Sequence, residues 1–227
     1  MLKIQTPHRE SEHEADALAL WNGDGAVRLL RHDPEAHALL IERCIPGRPL
    51  AAAAAETALD VFVDLLPRLW KPVGAAPFRP LADEAAWWLE YMEDAWEQAG
   101  RPYERRLLDA AIEALRELSP TQGEQVLLSQ DLHGENVLSA QREPWLVIDP
   151  KPLAGEREFA LAPIVRSFEL GHSKRDVLHR LDWLSSELGL DRERARGWTI
   201  GQTVAWSIDS NYHARHIETV RWLLEGA

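Results

Sequence analysis

The chain is expected to fold as α+β, with strands and one helix in its first 46 residues and mostly helix after them. Three observations predict this: short apolar runs cluster at the amino end, helix-like stretches dominate from about residue 51 onward, and two apolar runs near residue 140 flank a polar turn. Taken in order, Leu2-Lys3-Ile4 reads as a strand. Glu14, Ala17, Leu18 and Trp21 fall at i, i+3, i+4 and i+7, one helix stripe, so Glu14 points inward with the apolar residues, unlike Glu12. Strands follow at about 27–30 and 37–44, and Pro46-Gly47-Arg48-Pro49 is a linker. Helices are expected at about 51–70, 81–99 and 102–118, then hairpins from 126 to 148, then helices at 160–172, 174–188, 191–210 and 212–224. The domain division that follows is 1–46 and 47–227.

Composition bounds the function without choosing it. With 227 residues, 45% hydrophobic content and ten Trp, the chain has material for a sizeable core. Its apolar runs are too short to cross a membrane, and the start has no signal-peptide apolar region. The single Cys44 excludes an internal disulfide and fits a reducing cytoplasm. A net charge of −12 argues against a nucleic-acid partner, which needs clustered Lys and Arg, and suits a cationic small molecule.

The chemistry is carried by Ser129-Gln130-Asp131-Leu132-His133-Gly134-Glu135-Asn136 and by Val147-Ile148-Asp149-Pro150. Val137-Leu138 and Trp145–Ile148 read as strands joined by the polar turn Gln141-Arg142-Glu143-Pro144. If that four-residue turn joins antiparallel strands, Ala140 faces Trp145 and Asn136 pairs with Asp149. Two oxygen ligands then lie side by side, enough for Mg²⁺, which leaves the rest of its shell to water and phosphate. An Asp that takes the acceptor proton, an Asn five residues on that holds metal, and a downstream Asp that bridges metal to phosphates is the order used in kinase-type phosphoryl transfer. Taken singly, each of these residues also serves ordinary turns.

Asp131–Leu138 and Trp145–Pro152 resemble the catalytic and metal loops of the aminoglycoside and hydroxyurea antibiotic-resistance kinases, the streptomycin 6-phosphotransferase group. The resemblance extends through Glu14–Leu18, Gly25–Leu30, Leu39–Arg43 and Leu161-Ala162-Pro163. It implies a protein-kinase-like (aminoglycoside phosphotransferase) fold with an incomplete amino-terminal lobe and a mostly helical carboxyl-terminal lobe. By the same resemblance Asp131 is the catalytic base, and Asn136 and Asp149 are the Mg²⁺ ligands. Glu42 to Ile45, Cys44 among them, form the hinge whose backbone meets the adenine of ATP. Lys3 contacts the nucleotide phosphates and pairs with Glu14.

Departures from the family pattern set an alternative. Only two residues precede Lys3, so the strands and glycine-rich turn that cover the phosphates are missing from this chain. The expectation is a displaced start or trimmed chain, or a natural short relative with weak or lost catalysis. Ser129-Gln130 stand where the family has His-Gly, and Ala160 replaces an acidic residue. The alternative is therefore a catalytically impaired pseudokinase or ligand-binding remnant. A metallophosphoesterase would need further Gly-Asp and Gly-Asn-His blocks after its Asp-x-His, and none follows Asp131; a zinc hydrolase would need a His-Glu-x-x-His or paired Cys, and neither occurs. The acceptor, a hydroxylated and cationic small molecule, is expected to meet the carboxyl-terminal helices. Trp206, Asp209, Tyr212 and His213 would share a face there; core rim and solvated surface are the other reading. Glu156 and Glu158 are expected to be solvated loop carboxylates with a secondary pull on guanidinium or ammonium groups.

Overall fold

In the computed structural model, which describes residues 1–208 and 213–226, strand β1 (Leu2–Ile4) pairs antiparallel with β3 (Ala38–Ile41). The other edge of β3 pairs with β2 (Leu29–Asp33), giving a three-stranded sheet of order β1-β3-β2. Helix α1 (Glu14–Trp21) buries Glu14, Ala15, Ala17, Leu18 and Trp21, the stripe read from the spacing. The Trp21 indole N–H donates to the Leu69 carbonyl at 2.8 Å, at the end of α2 (Ala55–Leu69). Helix α2 turns Ala58, Phe62, Leu65, Leu66 and Leu69 inward, an i, i+4, i+7 stripe that each core helix needs to be held by packing.

Two further strand pairs lie later in the chain. Strand β5 (Val137–Ser139) pairs with β6 (Trp145–Val147), and β4 (Val126–Ser129) pairs with β7 (Pro152–Gly155), a strand absent from the sequence expectation. Val147 exchanges backbone hydrogen bonds with Gly25 and Val27, and Ser139 does so with Gly47 and Arg48. Leu127 donates to the Lys71 carbonyl at 2.8 Å. These ladders explain the first of two compact units, Met1–Arg79 with Gln125–Ala154. The hairpins belong by packing with the amino-terminal sheet, a division that runs differently from one at residue 46.

The second unit, Pro80–Glu124 with Gly155–Ala227, is helical. It holds α3 (Leu81–Gln98), α4 (Arg105–Leu118), α5 (Ala162–Val165), α6 (Lys174–Leu188), α7 (Arg192–Ala205) and α8 (His213–Glu225). Helix α7 is its centre, with every residue from Gly197 to Ala205 buried, as expected of a helix covered all round. Gly197 and Gly201 let α4 approach: a Cβ on Gly201 would lie 2.6 Å from a Leu115 methyl.

The helix expected at 160–172 is a correction. A 3₁₀ turn at Arg157–Leu161 leads into the four-residue α5, and the chain then leaves helical form. The reason is Arg180 on α6, 2% exposed, whose guanidinium donates to the carbonyls of Val165, Ser167, Leu170 and Gly171. Those carbonyls, satisfied from outside, have no need of an α-helical ladder.

Candidate active site

The β5–β6 hairpin sets the site, in a register one residue from the expected one. Ala140 N–H donates to the Pro144 carbonyl at 3.2 Å, so the loop holds three residues, and Ser139 faces Trp145. Ile148 N–H donates to the Asn136 carbonyl at 2.9 Å. Asn136 is thus opposite Ile148 and not Asp149, a correction whose cause is the Pro144 carbonyl closing the loop early. Asp149 then leaves the ladder in the left-handed region, φ 50°, which Asp tolerates better than most residues. Both groups stay at the open end of one hairpin.

Asp131 follows the wholly buried β4 and opens the turn that ends in Asn136. The Asn136 amide N–H donates to the Asp131 backbone carbonyl at 2.9 Å, which fixes the amide plane and presents its oxygen as an acceptor. The Asp131 carboxylate accepts from Lys151 Nζ at 2.8 Å, and His133 Nε2 lies 4.0 Å from its other oxygen. Lys151 also reaches Glu10 at 3.2 Å, and its backbone carbonyl accepts the Gln130 N–H at 3.0 Å. Burial alone would pull the Lys151 ammonium below its ordinary range, but Asp131 and Glu10 overcome this and hold it above.

A second lysine meets Asp149. Lys3 Nζ donates to both Glu14 oxygens at 2.7 Å and to Asp149. Glu14 is 2% exposed and also accepts from Gln5. Burial raises the Glu14 carboxyl above its usual range against the pull of Lys3. Of the seven residues picked from sequence, Lys3, Glu14 and Asp149 are in direct contact, and Asp131 and Asn136 are joined through the turn. The donor set fits a hard cation: a half-exposed carboxylate on Asp149 and an oriented amide oxygen on Asn136 are oxygen ligands of the kind Mg²⁺ takes. Among the described residues no cluster of three or more His, Cys, Asp or Glu could hold a metal, so phosphate and water oxygens would complete the shell.

Glu42 and Cys44 lie just past β3. Glu42 N–H donates to the Arg28 carbonyl at 2.9 Å, and its carboxylate is clasped by Arg142, with Nε at 2.9 Å and Nη2 at 2.9 Å. The Arg142 guanidinium also donates to the carbonyls of Gly23 and Ala26. The Arg142 hydrogen bonds hold the Glu42 carboxyl below its usual range. Cys44 is half-buried, and burial followed by the Glu42 charge pushes its thiol up, away from nucleophile chemistry. Arg142 and Lys151 were both missed from sequence. An Arg at a hairpin tip reads as solvated. For Lys151 the one signal is a lysine between two prolines leading into a buried strand.

Glu156 is a correction. It is 2% exposed, not solvated, and its guanidinium is internal: Arg194 Nη2 approaches both oxygens at 2.8 and 2.9 Å, with Trp198 and the Gly123 N–H as further donors. Full pairing of a buried carboxylate explains its place. Trp206 stacks under the Arg166 guanidinium at 4.6 Å, and His213 Nδ1 meets the Ser207 carbonyl at 3.0 Å. Asp209 and Tyr212 lie outside the described residues. Gln130 and Ala160, at the two departures from the family pattern, are both buried.

A profile of the family described as aminoglycoside/hydroxyurea antibiotic resistance kinase matches residues 1–214. Over 218 residues the chain is 41% identical to streptomycin 6-kinase of Streptomyces glaucescens, covering 92% of this chain and 71% of that one. Over 215 residues it is 41% identical to hydroxyurea phosphotransferase of Kitasatospora aureofaciens, covering 92% of this chain but 62% of that relative's length. Among solved structures, choline kinase LicA from Streptococcus pneumoniae superposes with a TM-score of 0.68 at 17% identity, over 99% of this chain and 85% of that one, a likeness of protein-kinase-type fold alone.

Proposed function

Because the chain belongs to the aminoglycoside/hydroxyurea antibiotic resistance kinase family, we propose that it transfers the γ-phosphoryl group of ATP, with Mg²⁺, to a hydroxyl of a streptomycin-like or hydroxyurea-type antibiotic in the cytoplasm. The observation that carries this is the turn from Asp131 to Asn136, closed by a 2.9 Å hydrogen bond, at the end of the hairpin that delivers Asp149. Asp131 accepts the proton of the attacking hydroxyl. Asn136 and Asp149 offer the oxygens for the metal, and Lys3, steadied by Glu14, contributes a cation to the phosphates. Mg²⁺ would supply charge neutralisation on the phosphate oxygens. The segment Glu42–Cys44, fastened by Arg142, offers its backbone to adenine.

Calorimetry on this chain tests the nucleotide half: ATP binding should require Mg²⁺ and vanish in Asp149→Ala. ADP release dependent on streptomycin tests the other half, and Asp131→Asn should lower it by about 10²–10⁴-fold with the melting temperature held, the range for loss of a general base. Equal turnover in Asp131→Asn would remove Asp131 from its role. Binding without turnover for any hydroxylated acceptor would identify a pseudokinase instead, the reading favoured by Ser129 in place of an imidazole.

A further inference from the structure

Two lysines face the candidate site, and the chemistry above uses one. Lys3 serves the Asp149 side, whereas Lys151 Nζ sits 2.8 Å from an Asp131 carboxylate oxygen and 3.2 Å from Glu10. The Lys151 backbone is pinned as well, since its carbonyl accepts the Gln130 N–H at 3.0 Å, immediately before Asp131. The loop of the metal ligand and the loop of the base are therefore tied at adjacent residues. A side chain only 22% exposed carries the ammonium to the carboxylate.

A neutral donor would serve equally well as a purely structural prop for the Asp131 carboxylate, so the charge at this position calls for a use of its own. The position has another use. A hydroxyl within about 2.6–3.2 Å of Asp131 would attack a phosphorus about 3–3.5 Å away, which brings the phosphoryl oxygens within the swing of the Lys151 side chain. In a loose transition state the charge is spread over those oxygens, and a fixed cation beside them stabilises it.

We propose that Lys151 is a further catalytic residue, keeping its hydrogen bond to Asp131 while it exchanges the longer Glu10 contact for an oxygen of the phosphoryl group in transfer. The bond from the acceptor oxygen to phosphorus forms as the bond from phosphorus to the bridging oxygen of ADP breaks, the electron pair leaving with ADP. The hydroxyl proton passes to Asp131, and Lys151 keeps its own protons throughout. Glu10, on the segment before α1, is the counterion that parks the ammonium until the phosphate arrives.

The inference rests on the kinase reading, and two assays on the full chain separate their failures: ADP release with Mg-ATP and streptomycin, and slow ATP hydrolysis without acceptor. Lys151→Met should lose about 10²–10³-fold in kcat in both, the range for removing one preorganised transition-state donor, with the streptomycin KM little changed. Lys151→Arg should recover a large part of the loss. Melting curves establish folding, and Lys151→Gln replaces the Met variant if that one unfolds. Acceptor-free hydrolysis left intact while transfer falls would show that Lys151 acts only through Asp131, and unchanged rates in both assays would show no role; either overturns the inference alone. A wild-type chain silent in both assays, and silent again with hydroxyurea in place of streptomycin, would overturn the kinase reading and this inference with it.

Discussion

His216 on α8 shows how a single buried group ties stability to pH. It is 4% exposed, with Arg166 Nη1 3.5 Å from its Nε2, and burial, then the charges of Arg166, His213 and His172, push its pKa down to about 3. Between that value and the ordinary 6.5 the unfolded chain binds a proton that the folded chain refuses. The contribution is therefore fully present above about pH 6.5 and is lost as pH falls toward 3, at no more than about 1.4 kcal/mol per pH unit. Urea unfolding between pH 4.5 and 7 should show stability falling on acidification, and His216→Gln should flatten that slope. At the same scale, the contrast between Glu14 and Glu156 is instructive. Both are buried carboxylates satisfied by a cation, but the inward aim of Glu14 was legible from helix spacing, whereas the burial of Glu156 against Arg194, 38 residues away on α7, was not.

At the scale of elements, Arg180 decides where α5 stops. Its guanidinium, held between α6 and the segment 165–171, meets four backbone carbonyls, and burial pulls its pKa to about 10, still charged at neutral pH. Arg180→Leu would keep most of the apolar volume and orphan those carbonyls, each worth about 1–3 kcal/mol when buried without a partner. The expected result is a loss of about 3 kcal/mol or more, read as a lower urea midpoint with an unchanged m-value. Rearrangement of 165–171 into a longer helix with undiminished stability would contradict it. The hairpin register belongs here too. A shift of one residue moves every side chain to the other face, yet Asn136 and Asp149 remain at the same end because Asp149 turns out of the ladder at positive φ.

For the molecule as a whole the net charge of −12 acts on encounter more than on fold. If the acceptor is cationic, its KM should rise several-fold as salt goes from about 0.05 to 0.5 M, since the screening length shrinks from above 10 Å toward about 4 Å. A neutral hydroxyurea-type acceptor should show no such trend. Equal salt dependence for the two would remove electrostatic attraction from the account of substrate choice. Among the described residues no helix is long and apolar enough to cross a membrane.

By itself the sequence determined the α+β class, the Asp131–Asn136–Asp149 order and the Lys3–Glu14 pairing. All are patterns of short range in the chain, since Asp131 and Asp149 stand 18 positions apart and Lys3 and Glu14 stand 11 apart. What only the tertiary structure decided depends on partners far apart in the chain: Arg142 fastening Glu42 across 100 residues, Lys151 reaching Asp131 and Glu10, Arg180 ending a helix, and β7 completing a sheet. A charged side chain reads as solvated until folding removes the water around it, and the groups that then replace that water are set by which segments meet, not by the residues on either side.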